Sequence, residues 1–317
     1  MSRNWMRLAL LALVSASALL LGACGSGTIE SQLNPSRIVV FGDGFSDLGE
    51  GGSRYTVNDG SINIWTQQVA SSFGVGISTQ RAAGTSYATG NARVTAKPDA
   101  AGNIATPTVT EQIDAFLASG PIGASDLLII SGGIADIVAE MAKVTSGAQA
   151  PDQMVANARQ AGRDLAVQVR RLVQAGAAHV VVVGPYHLGK SPWATATGQA
   201  GLLTEASSRF NDELLVAIVD LGAKVLYVDA ALHFNLVVAN AAGYNLTNVT
   251  DPACTSVDPG PGIGIGAGQV NSALCTPGTM VPGTDFNRLL FADRIYPTPQ
   301  GHRLFGDYAY NRIRARW

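Results

Sequence analysis

Four runs of continuous apolar character punctuate the chain, at 37–41, 126–130, 179–183 and 224–228. Runs this short without polar alternation predict strands buried on both faces. Between them the apolar positions recur with helical spacing, at 64–73, 109–117, 153–174 and 202–221, and again at 299–314. Each strand is thus followed by a helix-length segment, which predicts an α/β fold of three layers, a central parallel sheet flanked by helices. Ligands of such sheets bind beyond the carboxyl ends of the strands, so the loops to inspect are 42–52, 131–137, 184–194 and 229 onward. No repeat or shift of composition divides residues 37–317, so a single domain is expected there.

The first 23 residues follow a different pattern. Arg3 and Arg7 precede an apolar run at 8–21 that is too short for a comfortable membrane span, as in an export signal. No later segment reaches the ~18 uninterrupted apolar residues of a spanning helix. The run ends in Leu21-Gly22-Ala23-Cys24, which resembles the lipobox of bacterial lipoproteins. That resemblance implies a lipidated Cys24 as the first mature residue, whereas a plain secretory peptide with an incidental Cys is the simpler alternative. Two acyl chains would anchor the protein stably in a membrane. Gly25 stands where an inner-membrane retention Asp would be, so in a Gram-negative source the bacterial envelope address is the outer membrane. Residues 24–36 then read as a flexible tether.

Apolar residues make up 47% of the 317 positions and charged residues only 14%, which supplies a core and argues against disorder. Removing residues 1–23 lowers the basic count from 21 to 19 against 23 acidic residues, a net charge near −4. A nucleic-acid partner needs clustered Lys and Arg that this composition lacks. No spacing of His, Cys and acids suggests a metal, and no cofactor is expected: Gly189-Lys190-Ser191 lacks the preceding glycine of a phosphate loop.

Cys254 and Cys275 remain as a pair within a Gly- and Pro-rich stretch at 251–285. In an exported chain they read as a disulfide stapling an insertion, with two buried free thiols as the alternative. A staple on such a loop is worth about 3 kcal/mol in the chain-entropy description.

The chemistry-bearing motifs come in order along the chain. Phe41-Gly42-Asp43-Gly44-Phe45-Ser46-Asp47-Leu48-Gly49 resembles the first block of the GDSL, or SGNH, esterases and lipases, F-G-D-S-L-S-D-x-G. Tyr55, Thr56, Asn58, Gly60 and Trp65 resemble the segment after it, and Tyr87-Ala88-Thr89-Gly90 the second block. Ser131 to Asp136 stands where the family has G-x-N-D, and Gly184 to Pro192 parallels the fourth block. Asp293-Arg294-Ile295-Tyr296-Pro297-Thr298, with Gly301 and His302, parallels D-x-x-H-P-T-x-x-G-H. The resemblance spans about residues 37–317 and implies the family's flavodoxin-like fold and ester hydrolysis.

The departures fall on the catalytic positions. The resemblance puts the nucleophile at Gly44, the general base at Tyr296 and the triad acid at Asp293. It builds the oxyanion hole from Gly44, Gly90 and Ala135, the last in place of an asparagine. Only Asp293 and Gly90 match the family. Gly44 offers no oxygen, and a phenol of pKa near 10 is a poor base at neutral pH. Losing the nucleophile or base of a comparable triad costs roughly 10⁶ in kcat, and one hole donor about 10² to 10³.

Among possible substitutes, Ser46 is expected to enter a helix and cap it, and Asp47 to lie in its first turn. His302 is placed on the last helix, from which it would have to fold back to meet Asp293. His187 faces the candidate site without a carboxylate partner in sequence, and His179 and His233 read as structural. The leading reading is an envelope lipoprotein on an esterase scaffold that has lost standard hydrolysis and binds an acyl, glycan or protein ligand. An active esterase or lipase with a relocated pair, Ser46 and His302, is the second, and a structural lipoprotein with a vestigial cleft the third.

Overall fold

Four parallel strands carry the molecule: β1 (Arg37–Phe41), β2 (Asp126–Ser131), β3 (His179–Val183) and β4 (Val225–Tyr227), hydrogen-bonded in that order. The computed structural model describes residues 31–317 except residue 63, and Leu33–Trp317 form one unit. The expected export segment, the lipidation position Cys24 and tether residues 24–30 lie outside the described residues.

The apolar runs lack alternation because the sheet is covered on both sides. One row across it, Val40, Ile129, Val181 and Leu226, belongs to the first core. The next row, Val39, Leu128, Val180 and Val225, belongs to the second. Eight α-helices among the described residues supply the layers: α1 (Trp65–Ser72), α2 (Val109–Ser119), α3 (Ile134–Thr145), α4 (Pro151–Gln174), α5 (Pro192–Thr197), α6 (Ala200–Ile218), α7 (Ala230–Ala239) and α8 (Pro299–Arg316). Trp65, Ile137, Phe234 and Phe305 bring α1, α3, α7 and α8 onto the first face. Ile113, Leu165, Phe210 and Leu214 bring α2, α4 and α6 onto the second. None of the described helices is long and apolar enough to cross a membrane.

Several boundaries differ from the expectation. The loop expected at 131–137 is only Gly132-Gly133: Gly133 turns the chain at φ 108°, and α3 begins at Ile134 with Ile137, Val138 and Met141 buried. Ser191 accepts from the Ala194 N–H and starts α5 inside the loop expected at 184–194. The helix expected to 221 ends at Ile218 and continues as a 3₁₀ turn broken at Gly222.

Beside β1, the segment at 85–89 runs parallel along the outer edge. The Val40 N–H donates to the Thr85 carbonyl, the Tyr87 N–H to Val40 and the Thr89 N–H to Gly42. The chain therefore steps outward from β1 before it crosses back to β2. The loops after these segments diverge there, which is the crevice expected to hold a ligand.

The stretch at 251–285 is an organised insertion. It is framed by β5 (Asn248–Pro252) paired with β8 (Leu289–Phe291), and inside it β6 (Val257–Asp258) pairs with β7 (Gln269–Val270). Cys254 and Cys275 form a disulfide across 21 positions, with their Cα atoms 5.8 Å apart.

Candidate active site

At the end of β1 the Gln112 side chain clamps Gly42, accepting from its N–H at 2.8 Å and donating to its carbonyl at 2.9 Å. The chain then turns, with the Ser46 N–H donating to the Asp43 carbonyl. Residues 43–46 are therefore a turn, and Ser46 and Asp47 enter no helix, contrary to the sequence expectation. The preceding carboxylate explains why: Asp43 Oδ1 takes the Phe45 N–H at 3.0 Å, and Oδ2 reaches the Ala135 N–H at 3.4 Å. Those bonds hold the turn open against helical continuation.

Gly44 sits at the centre of this turn with its Cα turned toward Tyr296. A Cβ on Gly44 would lie 2.7 Å from Tyr296 Oη and 2.8 Å from Cζ. Tyr296 is buried, and desolvation together with the nearby Asp43 carboxylate pushes its phenol well above the ordinary value, so it is uncharged at neutral pH.

Asp293 is buried as well, and no imidazole faces it. Its Oδ1 accepts from the Ile295 and Tyr296 N–H groups at 2.7 and 2.6 Å, and its Oδ2 from the Ser272 N–H at 3.0 Å. The carboxylate thus ties the loop before α8 to the insertion. Burial raises its pKa, and these donors oppose the rise.

Gly90 follows the edge segment, as the family pattern places it, but its N–H donates to Asp47 Oδ2 at 2.8 Å. Asp47 Oδ1 takes the Gly49 and Glu50 N–H groups. Burial lifts Asp47, like Asp43, to a pKa of about 6. The backbone donor of the hole is thereby paired with a carboxylate, and Ala135 presents a methyl group where an amide would stand. A Cβ on Gly90 would fall 2.0 Å from Tyr55 Oη, and the Tyr55 and Tyr296 rings lie 5.0 Å apart.

Ser46 and His302 are near one another in the core but do not pair. Ser46 Oγ bonds Ser131 Oγ at 2.7 Å and accepts from the Trp65 indole at 3.1 Å. His302, on α8, accepts the Trp65 backbone N–H on Nδ1, and its Nε2 has no partner. Burial pushes this imidazole down to about 3. Trp65 is therefore the shared neighbour of both residues. His233 is held among Phe234, Phe305 and Tyr308, and its imidazole is pushed by burial to about 4.

A cleft of about 440 Å³ opens beside Gly90, lined by Asp47, Tyr55, Asn91, Asp99 and Leu274 among others. Gly44 and Tyr296 do not line it, and no Lys or Arg does. Leu274 belongs to the insertion, and Asn91 Nδ2 donates to the Gly262 carbonyl at 2.9 Å, so the stapled loop forms one wall. Sequence reasoning did not single out Asn91 or Asp99. The only local signal was Asn91 directly after the hole glycine, where it adopts φ 61°, a conformation Asn tolerates better than most residues.

A doubly covered parallel sheet with Gly44, Gly90 and Ala135 in the loops and helix start beyond the carboxyl ends of its strands is the scaffold of the SGNH hydrolases. The chain matches the GDSL-like lipase/acylhydrolase family over residues 38–309 and belongs to that family. A GDSL esterase/lipase of Arabidopsis thaliana is 30% identical over 153 residues, which is 45% of this chain and 37% of the plant protein. An uncharacterised protein of Pseudomonas putida is 29% identical over 168 residues, 51% of this chain and 26% of that protein. The chain thus spans between a quarter and two fifths of the length of these relatives. Among solved structures, Est24, a carbohydrate acetylesterase from Sinorhizobium meliloti, aligns at TM-score 0.46 and 14% identity, covering 89% of this chain and 99% of that one. The inhibitor-bound aryl esterase of M. smegmatis aligns at TM-score 0.46 and 15% identity over the same shares.

Proposed function

We propose that this member of the family does not hydrolyse esters at the family's catalytic position and binds a ligand in the cleft beside Gly90. One observation carries the reading: the Tyr296 phenol fills the space a nucleophile side chain on residue 44 would need. The other contacts agree with it. Asp293 is occupied by backbone donors, and the Gly90 N–H is given to Asp47. A carboxylate in that place repels an oxyanion rather than stabilising it. The cleft beside Gly90 supports binding of an acyl, glycan or protein ligand, and its lining of acids without cations favours neutral or cationic groups. We place the protein in the bacterial envelope, anchored through a lipidated Cys24 at the outer membrane, on the strength of the lipobox-like sequence.

The test is turnover of p-nitrophenyl acetate by the wild type and by Ser46→Ala and His302→Ala. No part of any turnover should depend on Ser46 or His302. Loss of activity in either folded variant would establish the relocated pair and overturn the reading. A rise in melting temperature with chito-oligosaccharides or monoacylglycerols would separate a binding cleft from a vestigial one.

A further inference from the structure

A second cleft, of about 290 Å³, opens at the carboxyl ends of β3 and β4 and shares no lining residue with the one beside Gly90. Three side chains from three elements meet in it. His187, in the loop after β3, places Nε2 3.2 Å from Ser208 Oγ on α6 and Nδ1 2.9 Å from Asn235 Nδ2 on α7. A hydroxyl, an imidazole and a side-chain amide in this sequence of contacts form the nucleophile, base and orienting group of an acyl-transfer site.

We propose that Ser208, with His187 as its base, is a nucleophile toward small neutral or cationic acyl esters. The substrate class follows from the walls. Tyr227 and Leu232 offer apolar surface, while Asp212 and Asp229 repel an anionic ester. The first turn of α7 offers a backbone donor to the oxyanion in the Ala231 N–H, which, unlike the Gly90 N–H, is not itself taken by a carboxylate. Asp229 on the Leu232 N–H of the same turn weakens the stabilisation. Asp229 caps that turn by taking the Leu232 N–H on its side chain and the His233 N–H on its carbonyl. The N–H groups of Ala230 and Ala231 have no acceptor among the described residues, and Ala231 lines the cleft.

Catalysis needs the imidazole proton on Nδ1, facing an acceptor. Asn235 Oδ1 has no partner while Nδ2 faces the ring, so turning the amide half a revolution forfeits only the Nδ2 to Nδ1 bond and replaces it with Nδ1–H to Oδ1. Nε2 is then free to accept the Ser208 proton once the hydroxyl turns away from the Thr204 carbonyl, to which it donates at 2.9 Å in this structure. Ser208 Oγ attacks the carbonyl carbon as its proton passes to Nε2. Collapse of the adduct breaks the bond to the alcohol oxygen, which leaves with that proton. Water then attacks the acyl-serine, gives a proton to Nε2 and releases the acid, and Ser208 recovers its proton.

The test is labelling of the full chain with a fluorophosphonate, whose phosphorus bonds the serine oxygen as fluoride leaves, followed by peptide mapping. The adduct should map to Ser208, disappear in Ser208→Ala, and form at least about 100-fold more slowly in His187→Ala or, should that variant lose its cooperative melt, in His187→Gln. Absence of a Ser208 adduct, or labelling unchanged in both His187 variants, overturns the proposal. An adduct on Ser46 instead would also overturn the reading of the family position, whereas no adduct on any serine overturns this proposal alone.

Discussion

The Tyr296 ring and the bare Cα of Gly44 are complementary: the phenol carbon Cζ lies 2.8 Å from where a Cβ on residue 44 would be. Gly44 is not in the left-handed region, so what a side chain lacks there is room and not backbone freedom. A small residue at one position and a large one at the other conserve volume in a packed interior.

Gly44→Ala should therefore destabilise the protein by about 1 to 3 kcal/mol through overpacking. In a Tyr296→Ala background the same substitution should cost much less. Denaturant unfolding of the four proteins in this cycle measures the coupling, and additive effects would show that the two positions do not compete for one space.

The Cys254–Cys275 disulfide closes an insertion whose wall faces the cleft through Leu274. Replacing both residues with Ala should lower stability by about 3 kcal/mol. Ligands of the cleft should weaken as well, because the Gly262 carbonyl that holds Asn91 lies inside the closed loop. Non-reducing peptide mapping of the wild type should recover the two cysteines linked.

His302 gives a pH dependence of definite sign. Its folded pKa, about 3, lies below its unfolded value near 6.5, so the unfolded chain binds the proton first. Stability should fall as pH drops from about 6.5 toward 3. Asp43 and Asp47, raised to about 6, act oppositely: their contribution is present at low pH and is lost as pH rises from about 4 through 6. A His302→Gln variant should thus gain on the wild type as the solution is acidified below pH 6.5. Parallel stability curves for the two proteins would refute this assignment.

Membrane attachment is tested separately. Cys24→Ala should leave the protein unacylated and move it from the membrane fraction to the soluble one. Retention of that variant in membranes through its own N-terminus would remove the anchor from the account.

The four strands β1 to β4 and five of the helices were legible because their signal is local: unbroken apolar runs such as Val180 to Val183 and 3.6-residue spacing such as that across α4. The short strands β5 to β8 in and around the insertion carry no run of that length. α3 was hidden by Gly132-Gly133, which read as loop although they only turn the chain into the helix. α7 is apolar nearly all round, so periodicity could not mark its start. The site was legible as identities and not as bonds. Gly90 and Asp293 stand where the family motifs put them, yet what each bonds depends on partners remote in sequence, Asp47 for the one and Ser272 of the insertion for the other. The meeting of His187, Ser208 and Asn235 likewise depends on how three separate elements pack. No spacing rule reports it.

Rebuilding the family's groups tests the whole account of the first site. Gly44→Ser alone should give no activity, because Tyr296 blocks the hydroxyl and no base is present. Tyr296→His alone should give none either, for want of a nucleophile. Combining the two, with Ala135→Asn to restore a hole donor, should raise p-nitrophenyl ester turnover above the wild type in a Ser208→Ala background that silences the second cleft. The gain should stay small while Asp47 holds the Gly90 N–H, since a carboxylate beside the hole opposes the oxyanion. Adding Asp47→Asn should then increase turnover further, by up to about 10²-fold if that donor is freed. A triple variant that folds but remains at wild-type background, with or without Asp47→Asn, would mean that Asp293 and the turn at residue 44 no longer hold a productive geometry.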